Sequence, residues 1–90
     1  MTETREAMIK RMRMRSMRRG IKEMDLVLSA YADAHLGDMT DQELALYDAL
    51  LTENDHDIYG WVGGQLAVPD EYTALIAHIK QGAHGVTRPA

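Results

Sequence analysis

The chain has no cysteine and no phenylalanine, one tryptophan, and only two prolines in 90 residues. Without cysteine, disulfide staples, zinc–cysteine sites, iron–sulfur clusters and thiol nucleophiles are excluded, and the redox compartment is left open. No apolar run approaches the roughly 18–20 residues of a membrane-spanning helix. The longest uncharged stretch, Ile58 to Pro69, is broken by three glycines and a glutamine. The basic N-terminus is not followed by the apolar segment of a secretory signal, so a soluble protein is expected. A mass of 10.1 kDa leaves room for a single core, so residues 1–90 are read as one domain. Hydrophobic residues make up 46% and charged residues 27%, the balance of a globular chain rather than a disordered one.

The net charge of −4 conceals an asymmetry. Met1 to Lys22 holds eight basic residues against Glu3 and Glu6, a balance of +6, and the remainder carries −10. A basic arm or helix on an acidic body can meet nucleic acid, an anionic surface or an acidic partner, or lie against its own domain.

The periodicity predicts an all-α bundle of about five short helices, with no internal repeat. Residues 4–18 are good helix formers, and Gly20 stands where a terminating glycine belongs. A second helix is predicted over 22–35, where Met24, Val27, Leu28 and Tyr31 form an i, i+3, i+4, i+7 stripe and Gly37 is the stop. Thr40 and Glu43 have the spacing of a capping box opening a third helix, with Leu44, Tyr47, Leu50 and Leu51 on its apolar face. Asn54-Asp55-His56-Asp57 caps a short helix through Tyr59 and Trp61 that ends at Gly63-Gly64. The last helix starts near Pro69-Asp70, buries Tyr72, Leu75, Ile76 and Ile79, and ends at Gly82, leaving 83–90 as a frayed tail.

Little in the sequence suggests catalysis. The carboxylates fall at helix starts and in loops, where capping and solvation account for them. His35, His56, His78 and His84 include no i, i+4 pair of the kind that binds metal on a helix. Gly60, Gly63 and Gly64 lack the lysine of a phosphate-binding loop. The unusual composition is Ile9 to Arg19. Arg11, Arg15 and Arg18 share one helical face suited to phosphates. Met8, Met12 and Met17 suit either this domain's core or an adaptable partner surface. The segment Arg19-Gly20-Ile21-Lys22-Glu23 can be helix punctuation, with a cation at one helix end, a glycine stop and an acid in the next first turn. On spacing alone that reading is preferred to a recognition element.

Arg19-Gly20-x-x-Glu23 resembles the RGxxE motif of the succinate dehydrogenase flavin-assembly factors, called SdhE in bacteria and Sdh5 in yeast mitochondria. Asp25 with Leu26-Val27-Leu28, the segment Leu46 to Leu51, and Asp57-Ile58-Tyr59-Gly60-Trp61 continue the resemblance in order, over roughly residues 10–80. The resemblance implies a small helical bundle that binds the flavoprotein subunit of succinate dehydrogenase, and in some bacteria fumarate reductase. It promotes covalent attachment of FAD to a client histidine without being an enzyme itself. FAD is then the client's cofactor, and no cofactor or metal is expected on this chain. The implied partner-binding residues are Arg19, Gly20 and Glu23, with Arg18, Asp25, Arg15 and Arg11. Arg19 would offer its fork to a client carboxylate or carbonyl, Gly20 would allow close approach, and Glu23 would accept a hydrogen bond or orient Arg19. Trp61 and Tyr59 would support the bundle from within. A monomer when free, in the bacterial cytoplasm or the mitochondrial matrix of a eukaryote, completes the expectation. The alternative is a small nucleic-acid-binding regulator or antitoxin working through its basic helix.

Overall fold

The computed structural model describes the backbone of residues 3–87 and the side chains of residues 3–82. Its helices are α1 (Arg5–Ser16), α2 (Lys22–His35), α3 (Asp41–Leu50), α4 (Asp55–Gly63) and α5 (Thr73–Thr87). Short 3-10 turns lie at Leu36–Asp38 and Asp70–Tyr72, and no strand occurs among the described residues.

Three helix starts are set by side chains that take otherwise unpaired backbone N–H groups. Thr4 accepts from Ala7 at α1, and Asn54 accepts from His56 at α4. At α3 the capping box is complete, with Thr40 accepting from the Glu43 N–H and Glu43 accepting from the Thr40 N–H. The Thr40 backbone N–H holds the Glu43 carboxyl below the usual range. Gly64 ends α4 with φ 84, a conformation that costs glycine nothing.

α2 packs against α5, α1 and α4. Its stripe of Met24, Val27, Leu28 and Tyr31 is buried as predicted, as are Leu44, Tyr47, Leu50 and Leu51 from the α3 region and Tyr72, Leu75, Ile76 and Ile79 from the last segment. Trp61 lies in the same core, its ring centroid 5.7 Å from that of Tyr72.

Several expectations need correction. α1 stops at Ser16, short of Gly20, and the left-handed residue after it is Arg18, φ 55. Gly20 is not the stop. Gly82 does not end α5 either; its φ is not positive, and the helix continues to Thr87. The usual glycine stop takes the left-handed conformation, which neither Gly20 nor Gly82 adopts. Residues 83–87, expected to fray, are therefore helical in their backbone, and 88–90 lie outside the described residues. Tyr59 is 41% exposed and does not support the bundle from within. Of Met8, Met12 and Met17, Met12 is fully buried, Met8 packs against the core and Met17 is half exposed.

Candidate functional site

The segment joining α1 to α2, residues 17–21, is built around a residue far away in sequence. Asp55, the first residue of α4, accepts from Arg19 Nε through Oδ1 at 2.7 Å and from the Gly20 backbone N–H through Oδ2 at 2.7 Å. Arg19 Nη1 also donates to the Arg15 carbonyl at 2.8 Å, and both terminal nitrogens reach the Leu51 carbonyl at 3.2 Å. Arg15 is in the last turn of α1 and Leu51 caps the C-terminus of α3. The guanidinium thus sits where two helices present unpaired carbonyls and negative dipole ends. The carboxylate sits at the positive end of α4, so both charges are placed favourably.

This arrangement turns the Arg19 fork inward, leaving its side chain 11% exposed. Glu23 does not orient it; Asp55 does. The Glu23 side chain is exposed and makes no hydrogen bond or ion pair among the described residues. Gly20 is exposed beside it, and a Cβ on Gly20 would stand 3.0 Å from Asp55 Oδ2. Arg18 is also exposed, in a conformation that costs a non-glycine residue roughly 1–2 kcal/mol. Asp25, half-buried, accepts from Ser29 Oγ at 3.4 Å. Apolar side chains surface in the same two helices: Met14 is 66% exposed, and Met17 and Leu26 are close to half exposed.

The basic face predicted for α1 does not form. Arg11 makes a two-pronged contact with Asp48 of α3, at 2.8 and 3.0 Å, and another with Glu3, at 2.9 and 3.0 Å. These contacts hold the Asp48 and Glu3 carboxyls below the usual range. Arg15 stands 3.6 Å from the same Asp48. Arg5 pairs with Asp41 at 2.9 Å and Arg13 with Asp33 at 3.8 Å. Arg18 lies past the end of the helix and shares no face with Arg11 and Arg15. The basic helix is saddled on the acidic body of its own domain, one of the options the charge asymmetry allowed.

Two features escaped the sequence reading. Ser16 is fully buried, its hydroxyl 2.8 Å from the Met12 carbonyl and 2.6 Å from the Tyr47 hydroxyl, which lies 3.3 Å from the Leu28 carbonyl. Burial pushes the Tyr47 phenol up to about 12. A small residue at a 3.6-period core position was the available signal. The second feature joins residues from separate helices: the His35 and His78 rings meet tilted at 52° with centroids 4.6 Å apart, and Tyr31 Oη lies 2.8 Å from His78 Nδ1. They line a cavity of about 410 Å³ with Asp38, Met39, Glu43, Leu46, Ala74 and Leu75. Among the described residues no cluster has the geometry of a metal site. With Asp38 and Glu43 in its wall and no lysine or arginine, the cavity does not suit the pyrophosphate of a dinucleotide such as FAD. His56 is exposed on α4, and the side chain of His84 lies outside the described residues.

The comparisons with known proteins bear on the same stretch. The family model described as Sdh5, flavinator of succinate dehydrogenase, matches residues 10–83, which include the 17–21 turn and Asp55. Among relatives named succinate dehydrogenase assembly factor 2, mitochondrial, the chain is 60% identical to that of Candida glabrata over 47 residues, covering 52% of this chain and 31% of the relative. Identity to that of Meyerozyma guilliermondii is 49% over 59 residues, 66% of this chain and 44% of the relative. The Schizosaccharomyces pombe protein is 40% identical over 70 residues, 78% of this chain and 50% of its own length. The chain thus spans about a third to a half of the length of these relatives. With the model matched over most of the chain, this protein belongs to the Sdh5 family, the flavinators of succinate dehydrogenase.

Proposed function

We propose that this chain is an assembly factor that binds the flavoprotein subunit of succinate dehydrogenase and promotes covalent attachment of FAD to it. The observation that carries the proposal is the Arg19-Gly20-x-x-Glu23 turn: it lies within the family match, and it leaves Gly20, Glu23 and Arg18 exposed. Gly20 admits the Asp55 carboxylate beneath the turn, Glu23 accepts hydrogen bonds from the client, and Arg18 and Asp25 flank the contact. Met14, Met17 and Leu26 supply adaptable apolar surface nearby. In this reading the chain is a non-catalytic partner, FAD is the client's cofactor, and the bond-forming chemistry belongs to client and flavin. Covalent flavinylation requires a client histidine held in attack geometry against the flavin ring. A partner that binds the competent conformer of the client raises its population, and needs no reactive group of its own. The client is read as succinate dehydrogenase alone, the enzyme in the names of the family and of the relatives. The nucleic-acid reading is not favoured, because Arg11 and Arg15 are paired with Asp48.

The test is in-gel flavin fluorescence of denatured extracts from a strain deleted for this gene. Covalent flavin on the flavoprotein subunit should be lost in the deletion and restored by the wild-type chain, but not by Glu23→Ala, which should stay folded. Normal covalent flavin in the deletion strain would end the proposal.

A further inference from the structure

We infer that Asp55 is a positioning residue for client recognition, fixing the 17–21 turn from outside the motif, with Arg19 as an internal strut rather than a client contact. The inference rests on the assembly-factor reading and adds a residue and a division of labour to it.

The turn has little side-chain support of its own. Ile21, the N-cap of α2, makes no side-chain capping bond. The C-cap of α1 at Met17 is an extended residue, and Arg18 after it is held in the left-handed region. An arginine stays there only when its surroundings fix the backbone on either side. On the far side they do: one carboxylate takes both the Gly20 N–H and the Arg19 side chain, each at 2.7 Å. Asp55 is itself fixed, because it opens α4 behind the Asn54 cap, and α4 packs on α2 and α5. The clamp therefore ties the exposed turn to the core. Every hydrogen bond found for Arg19 is internal, to Asp55, Arg15 and Leu51. What remains for a client is the outer side of the turn: Arg18, the Gly20 backbone and Glu23. A surface fixed in advance binds without the cost of ordering a loop.

Asp55→Asn tests this with almost no change of shape. The amide keeps one oxygen, so either Arg19 Nε or the Gly20 N–H loses its acceptor. The measurements are helicity, the Gly20 amide resonance in a ¹⁵N-edited spectrum, and calorimetric affinity for the purified apo-flavoprotein subunit of succinate dehydrogenase. The expected result is unchanged helicity, a shifted Gly20 resonance, and affinity weakened about tenfold or more through loss of preorganisation. Glu23→Ala serves as the contrast: it should weaken binding while leaving the Gly20 resonance in place, as a contact residue must. Should Asp55→Asn fail to fold, Asp55→Glu carries the test through the same readouts, since it keeps the charge and displaces the carboxylate by one methylene. Wild-type affinity in the folded variant would overturn the inference. A wild-type chain that binds no flavoprotein subunit would remove the assembly reading and this one with it, an outcome seen before any variant is made.

Discussion

Arg18 and Arg19 are neighbours in sequence with opposite surroundings, so truncating each should give very different results. Arg19→Ala removes a guanidinium that donates to Asp55 at 2.7 Å, to the Arg15 carbonyl at 2.8 Å and to the Leu51 carbonyl at 3.2 Å. A hydrogen bond to a charged group contributes about 1.5–3 kcal/mol, and a cation at a helix C-terminus about 0.3–1 kcal/mol. Some of this is recovered, because Asp55 is 22% exposed and keeps the Gly20 N–H, and water reaches part of the vacated space. The net cost expected is about 2–3 kcal/mol. Arg18→Ala should fall within about 0.5 kcal/mol of wild type, as an exposed side chain without a partner among the described residues. Arg18→Gly should range from neutral to about 1 kcal/mol stabilising, since it relieves left-handed strain against some gain of unfolded-state entropy. Urea unfolding followed by fluorescence of Trp61, the single tryptophan and 8% exposed, reads all three variants. At a slope of about 1 kcal/mol per molar urea, Arg19→Ala should lower the midpoint by about 2–3 M and Arg18→Ala by less than about 0.5 M. Equal midpoints for the two alanine variants would refute the inward role of Arg19.

Two further outcomes follow from the same geometry. The buried Ser16 and Tyr47 hydroxyls meet at 2.6 Å between the Met12 and Leu28 carbonyls; Tyr47→Phe and Ser16→Ala should each cost about 1 kcal/mol, or roughly 4–8 °C in melting temperature. Their double mutant should cost less than the sum of the two, and strict additivity would count against the shared network. Asp48 and Glu43 are held below their ordinary values of 3.8 and 4.5, so the native state binds fewer protons than the unfolded chain there. The stability they add is therefore complete above those values and is lost as pH falls through and below them. Melting temperatures from pH 6 down to 3 should drop on the acid side, and Asp48→Asn should flatten that fall while lowering the plateau.

Most of the helical architecture could be read from local rules. The stripes of α2, α3 and α5 and the Thr40–Glu43 box depend on residues three or four apart, which the sequence displays directly. Apart from Tyr59, expected inside the bundle but exposed, the differences concern glycine or long-range partners. Gly20 and Gly82 were assigned as stops by residue type, yet neither adopts the left-handed conformation that makes glycine a stop. Gly20 is instead a close-approach residue facing Asp55. The motif Arg19-Gly20-x-x-Glu23 located the site, but the direction of the Arg19 side chain was settled by the Leu51 carbonyl and by Asp55, each more than thirty positions away. The pairing of Arg11 with Asp48, and the contact of the His35 and His78 rings, likewise join separate helices. No periodicity encodes such pairs.

The way α1 is attached has a consequence for how the molecule breathes. Met12 is its fully buried apolar side chain, helped by Met8 and Ile9, whereas α2 buries five residues. The rest of the attachment is the buried contact of the Ser16 hydroxyl with Tyr47 and a set of exposed or half-exposed ion pairs to Asp33, Asp41 and Asp48, a class of contact that salt screens. With fewer buried side chains than α2, α1 should open at lower free energy, and its amides should exchange with solvent ahead of those of α2 and α5 in a hydrogen-exchange experiment. Raising the ionic strength should weaken the exposed pairs and make that opening more frequent. Such an opening bares the Asp33, Asp41 and Asp48 carboxylates that its arginines cover.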